Sequence, residues 1–192
     1  DTKNIDKIID VVKEPKIDIL INNAGTYIEE LTLSSSVNTF KSLFTLNFLA
    51  PIFLTKNLGY KLADGLVINI SSTSDRFAEK GSGLYCASKT ALEIFFAAFA
   101  IENKNIKVIN ILPSYVDTPL QHKVSDNKNF DWELCTTSDH VAGLIKDLIE
   151  SKYDVPSVSN VMVLNNKTIS DTKDPEKLFY YNVDSKEFNK VK

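Results

Sequence analysis

The sequence predicts an α/β protein built on a parallel sheet with helices covering both faces. Two observations carry that prediction. Four short, nearly continuous apolar runs, at residues 17–21, 66–70, 108–112 and 161–164, suit strands buried on both sides. Longer segments of helical character separate these runs, and strand alternating with helix means βαβ units with right-handed crossovers.

Each element has its own signal. Residues 4–13 place Ile5, Ile8, Ile9 and Val12 on one helical stripe, and Pro15 stops it. Residues 37–62 read as one long amphipathic helix. Residues 89–103 are apolar almost all round, through Leu92, Ile94, Phe95, Phe96, Phe99 and Ile101. A helix of that kind needs cover on more than one side. Residues 141–149 supply another stripe, with Asp139 in the N-cap region. Residues 168–192 are charged and polar, with an aromatic cluster at Phe179, Tyr180 and Tyr181. We read the chain as a single domain over 1–192, with 168–192 as a C-terminal extension.

Composition narrows the function. The 192 residues suffice for one domain with a sizeable core. The formal net charge of −3 argues against a broad nucleic-acid surface. No apolar run is expected to span a bilayer, and no signal peptide is visible. Cys86 and Cys135 form no framework and no metal-like pair, so they read as reduced thiols of a cytoplasmic protein. His122 and His140 fall in no metal-binding spacing, and no metal is expected.

The chemistry concentrates in a few residues. Tyr85 and Lys89, four apart, share one helix face. A Tyr-x-x-x-Lys spacing also recurs by chance on helix surfaces, with the lysine snorkelling. Ser72, thirteen residues before the tyrosine, ends an apolar strand run and can complete a three-group site around a carbonyl oxygen. Asn47 sits inside the long helix, where an amide is a poor choice. Alone it would read as a polar residue on an amphipathic face. Asn22-Asn23-Ala24-Gly25 directly follows the first strand run. The two asparagines can cross-link neighbouring strands, and Ala24 and Gly25 let backbone approach a ligand. Pro113 to Thr118 follows the third run, and 120–132 reads as a loop beyond it.

Taken together, these residues resemble the short-chain dehydrogenase/reductase family, in its NNAG branch. The resemblance runs from about residue 4 to 118 and more weakly through 164. It implies a doubly wound, Rossmann-type sheet and an NAD(P)-dependent oxidoreductase interconverting a carbonyl and a secondary alcohol. By this resemblance Tyr85 is the acid and base, Lys89 lowers its pKa and holds the ribose, and Ser72 orients the substrate oxygen. Asn47 joins a proton relay through a water. A free phenol titrates near ~10, so the nearby ammonium is what makes a tyrosine useful at neutral pH. Asn23, Ala24, Gly25, Pro113, Val116 and Thr118, with Tyr85 and Lys89, would bind the cofactor, NADP ahead of NAD. Phe77, Tyr115, Phe130 and Trp132, with Ser72, are candidate substrate-pocket walls. The family pairs its two long helices, here about 37–62 and 85–103, across a two-fold axis, so a homodimer or homotetramer is expected.

The sequence departs from that pattern in three places. The Gly-rich dinucleotide loop is not found, so the chain is expected to be the later part of a longer protein. Residues 17–21 would then form an open sheet edge. Ser114 replaces a glycine, and 156–165 lacks the usual Gly-rich turn. A non-catalytic scaffold or binding protein of the same fold is the alternative reading. A serine hydrolase is excluded because no GxSxG elbow is present.

Overall fold

We describe a computed structural model over residues 5–75, 78–125, 129–169 and 179–190. In chain order the elements are α1 (Ile5–Val11), β1 (Ile19–Asn22), α2 (Val37–Phe44), α3 (Ala50–Leu58), β2 (Leu66–Ile70), α4 (Gly83–Glu102), β3 (Lys107–Pro113), β4 (Val116–Asp117), α5 (Pro119–Ser125), β5 (Thr136–Thr137), α6 (Ser138–Ile149), β6 (Ser159–Leu164), α7 (Asn166–Ile169), β7 (Phe179–Asn182) and β8 (Glu187–Lys190).

Six strands form one sheet in the order β1-β2-β3-β6-β7-β8. All pairs are parallel except the last, β7 with β8. Alternation along the strands divides the core. Ile68, Ile109, Ile111, Val161 and Val163 pack with Val141, Leu144 and Leu148 of α6 on one face. Val67 and Val108 pack with Leu92, Phe96 and Ala100 of α4 on the other. This is the doubly wound Rossmann-type arrangement, with helices on both faces.

Several expectations are corrected in detail. The first strand is β1, Ile19–Asn22, so Ile17 stands outside it and donates its N–H to the Lys61 carbonyl at 2.8 Å. At the sheet edge, Ile21 is 43% exposed. The helix expected at 89–103 begins earlier, at Gly83. α6 is capped by the Thr137 hydroxyl, which accepts from His140 N–H, rather than by Asp139. The C-terminal segment is no mere extension: β7 adds to the sheet beside β6, and β8 returns against it. Its charged residues obscured a strand whose inner side buries Tyr181 and Val183. Two helical stretches, Val37–Lys61 and Gly83–Glu102, are long and apolar enough to cross a membrane by length and composition, where none was expected. The second turns the charged Lys89 and Glu93 inward, both buried.

The stretch 37–61 is not a uniform helix. Thr45–Leu49, between α2 and α3, is a π turn centred on Asn47. Such turns carry a surplus residue and are frequent at functional sites.

Candidate active site

The site lies at the C-terminal ends of β1, β2 and β3, where a doubly wound sheet opens a crevice. A cavity of about 920 Å³ fills that crevice. Asn23, Gly25, Ser72, Tyr85, Lys89, Pro113, Tyr115, Val116 and Thr118 are all among its lining residues.

The core of the site is a clamp between β2 and α4. Three consecutive residues at the end of β2 engage three residues one helical turn apart. The Ile70 carbonyl accepts from Lys89 Nζ at 2.9 Å. The Ser71 hydroxyl donates to Glu93 Oε1. Ser72 hydrogen-bonds the Tyr85 side chain.

Electrostatics follow from burial. Burial pushes the Tyr85 phenol above its ordinary value of 10.0, and the Ser72 hydrogen bond opposes that rise. Burial lowers Lys89 from 10.5 to about 8, with Glu93 acting in the opposite direction. The Lys89 ammonium lies 5.8 Å from the centre of the Tyr85 ring. Its charge therefore favours the phenolate.

Asn47 reaches the site from the π turn. Its Oδ1 accepts from Thr26 N–H at 2.8 Å, and its Nδ2 donates to the Thr26 carbonyl at 2.9 Å and to Ser88 Oγ at 3.1 Å. Ser88 in turn donates to the Tyr85 carbonyl at 2.7 Å. So Asn47 fixes the segment after Gly25 and ties it to α4. Gly25 lies beside both groups: a β-carbon there would stand 3.4 Å from Lys89 Nζ and 3.5 Å from Asn47 Oδ1, which are ordinary contact distances.

The outer wall is aromatic and acidic. Tyr27 meets Tyr85 edge-on, with ring centres 4.9 Å apart. Burial, then Glu29 and Glu79, push Tyr27 up to about 12. Tyr115 donates to Glu79 Oε1 at 2.5 Å and packs edge-on against Phe130. Burial first, then Glu79, raise its phenol. Tyr27, Glu79, Gln121 and Val124 also line the cavity. Sequence reasoning missed these four, although Tyr27 stands only two residues beyond Gly25.

Two sequence expectations are placed differently. Ala24 is exposed and does not line the cavity. Trp132 does not line it either; it stacks on His122, with ring centres 4.2 Å apart, behind Phe130. Phe77 lies outside the described residues. Ser114, in place of glycine, donates its N–H to the Val163 carbonyl at 3.2 Å and still lines the cavity. His140 is structural: its Nδ1 pairs with Thr136 Oγ1 at 2.9 Å. Among the described residues no cluster of metal-binding side chains occurs.

The fold and the Ser72, Tyr85, Lys89 and Asn47 arrangement define a short-chain oxidoreductase scaffold. Residues 1–129 match the short chain dehydrogenase family, and the chain belongs to that family. It is similar to Dehydrogenase OXI1 of Cochliobolus heterostrophus, at 35% identity over 115 residues, covering 57% of this chain and 49% of that protein. It is also similar to a benzil reductase ((S)-benzoin forming) of Bacillus cereus, at 28% identity, covering 83% of this chain and 68% of the relative. Among solved structures, 4-hydroxyisoleucine dehydrogenase complexed with NADH superposes with a TM-score of 0.68 at 27% identity, covering 84% of this chain and 73% of that one. The chain spans about half the length of several curated relatives that it matches.

Proposed function

We propose that the protein is an NAD(P)-dependent oxidoreductase that interconverts a carbonyl and a secondary alcohol. The observation that carries this reading is the joint placement of Ser72, Tyr85 and Lys89 on one cavity wall, with Ser72 hydrogen-bonded to Tyr85. The fit of a nicotinamide cofactor is supported by the size of that cavity, about 920 Å³, and by its lining of small and polar groups beside the Lys89 ammonium, among them Asn23, Gly25, Ser72 and Thr118. Asn23, Gly25, Lys89, Pro113, Val116 and Thr118 would hold it, with NADP favoured over NAD. When bound, the cofactor supplies or accepts a hydride.

The protein's own groups handle charge and protons. Charge develops on the substrate oxygen as its carbon is reduced, so donors aimed at that oxygen accelerate the step. The Tyr85 hydroxyl gives its proton to the oxygen, and takes it back in the reverse direction. The Ser72 hydroxyl donates to the same oxygen and orients it. The Lys89 ammonium stabilises the phenolate that remains. Asn47, against Gly25 beside Lys89, completes the path by which Tyr85 recovers its proton. Tyr115 and Phe130 would contact the rest of the substrate. Cys86 and Cys135, which form no disulfide, suit a cytoplasmic setting.

Assembly belongs to the same reading. α4 leaves an exposed apolar stripe of Ala87, Ile94, Ala98 and Ile101, with both isoleucines 69% exposed. A stripe of that kind suits pairing with a second copy across a two-fold axis, giving a dimer or tetramer.

The test is full-length protein with NADPH or NADH and a panel of ketones and secondary alcohols. Tyr85→Phe is expected to lose turnover by at least ~10³-fold with cofactor affinity kept, since one well-placed acid/base contributes about 10²–10⁴. Retained turnover in that variant would overturn the assignment.

A further inference from the structure

α4 turns a third ionisable group inward besides Tyr85 and Lys89. Glu93 is only 6% exposed, lines no part of the cavity and touches none of the reacting groups. A buried carboxylate is costly unless something holds its charge. Two donors do so: the Ser71 hydroxyl at Oε1 and Asn160 Nδ2 at Oε2, the latter at 3.1 Å.

Asn160 ends a ladder that crosses four strands. Asn22 Nδ2 donates to Asn69 Oδ1 at 2.8 Å, Asn69 Nδ2 to Asn110 Oδ1 at 2.9 Å, and Asn110 Nδ2 to Asn160 Oδ1 at 2.7 Å. The four are register partners, strand to strand, on the face that α4 covers. Asn69, Asn110 and Asn160 each spend the carbonyl on the previous amide, so these three are oriented, and the last must present its N–H to Glu93. The ladder thus delivers a fixed donor to one carboxylate oxygen.

We propose that Glu93 is the positioning residue of this site, the buried counter-charge that keeps the Lys89 ammonium charged and aimed, with Ser71 and the asparagine ladder holding it in place. The inference deepens the hydride-transfer reading of the same site. Lys89 and Glu93 are one helical turn apart, and attraction between them opposes the cost of burying the ammonium. Among the described residues, the groups facing Lys89 from other elements are uncharged: the Ile70 carbonyl from β2, Asn47 from the π turn and Gly25 from the loop after β1. On its own helix it faces Tyr85 as well as Glu93, and Tyr85 itself faces Ser72, Tyr27 and Cys86. Glu93 is therefore the source of negative charge at Lys89 while the phenol is neutral. It acts through Lys89 and meets no substrate atom.

The experiment is a titration of Lys89 in the full-length protein without cofactor, by NMR of lysine labelled at Cε, with the resonance assigned through Lys89→Arg. Wild type is expected to titrate near 8. Glu93→Gln, nearly isosteric, is expected to move that titration down by about one pH unit or more, as loss of a close opposite charge does. Glu93→Asp keeps the charge but withdraws it, and should give a smaller downward shift; it also serves if Glu93→Gln does not fold. A Lys89 titration unchanged in both variants overturns the proposal, whatever the turnover. The pH profile of kcat separates the two readings. If its alkaline limb moves down with the Lys89 titration in Glu93→Gln, both stand. If Lys89 shifts and the limb does not, the counter-charge holds and the catalytic role of Lys89 fails.

Discussion

Cutting the asparagine ladder in its middle should cost more than its size suggests. Asn69 is fully buried, accepts from Asn22 and donates to Asn110. Asn69→Leu keeps roughly the volume but leaves the Asn22 Nδ2 donor and the Asn110 Oδ1 acceptor without their partners. A buried polar group left unsatisfied costs about 1–3 kcal/mol, so two cost about 2–6 kcal/mol. Burying the leucine returns about 2 kcal/mol. The net loss is centred near ~2 kcal/mol within a range of about 0–4 kcal/mol, a sizeable part of the ~5–15 kcal/mol by which domains are stable. Urea unfolding followed by far-UV circular dichroism measures it as a lower midpoint with an unchanged m-value. Replacing Asn22, Asn69 and Asn110 together by apolar residues should then recover part of the loss, because no orphan remains between them. A midpoint shift worth less than about 0.5 kcal/mol for Asn69→Leu, or a triple variant weaker than the sum of its parts, would refute the reasoning.

Asn47→Ala removes three hydrogen bonds and frees the Thr26 backbone. It should lower stability by about 1–3 kcal/mol and lower kcat more than it raises KM, read by thermal unfolding and steady-state kinetics. A wild-type kcat would show that Asn47 only braces the loop. Ile94→Glu, on the exposed stripe of α4, should shift the protein from dimer or tetramer toward monomer in sedimentation velocity by at least ~10-fold in dissociation constant. Unchanged assembly would remove that stripe from the interface.

The strands and helices were legible because their signals are local. Apolar runs marked β2, β3 and β6 within a residue or two, and the Tyr85, Lys89, Ser72 set was visible as motif spacing. The ladder was not read beyond Asn22, although Asn69, Asn110 and Asn160 each interrupt an apolar run. What hid it was register: only the sheet shows that the four stand opposite one another. Glu93 was hidden in the same way, since an acid four residues after Lys89 looks like an ordinary helix-surface pair until α4 is seen to turn both inward. β7 and β8 escaped because their charged neighbours suggested a solvated tail, and Trp132 was misjudged because an aromatic near a cavity need not face it.

The surplus residue in the helix at 37–61 has a geometric consequence. From Leu43 to Thr55 its buried positions, Leu43, Asn47, Pro51 and Thr55, recur every four residues, and Leu58 follows three further on. An α-helix advances about 100° per residue, so four residues overshoot a full turn by about 40°. Over the twelve residues from Leu43 to Thr55 that drift would reach about 120°, enough to carry one end of the stripe round to solvent. The π turn absorbs nearly one residue's worth of rotation and brings the two halves back into phase. Deleting one residue there would leave a regular α-helix in which Leu43 and Thr55 stand only about 20° apart around the axis, so both could still face inward, and what would be lost is the displaced turn from which Asn47 reaches Thr26 and Ser88.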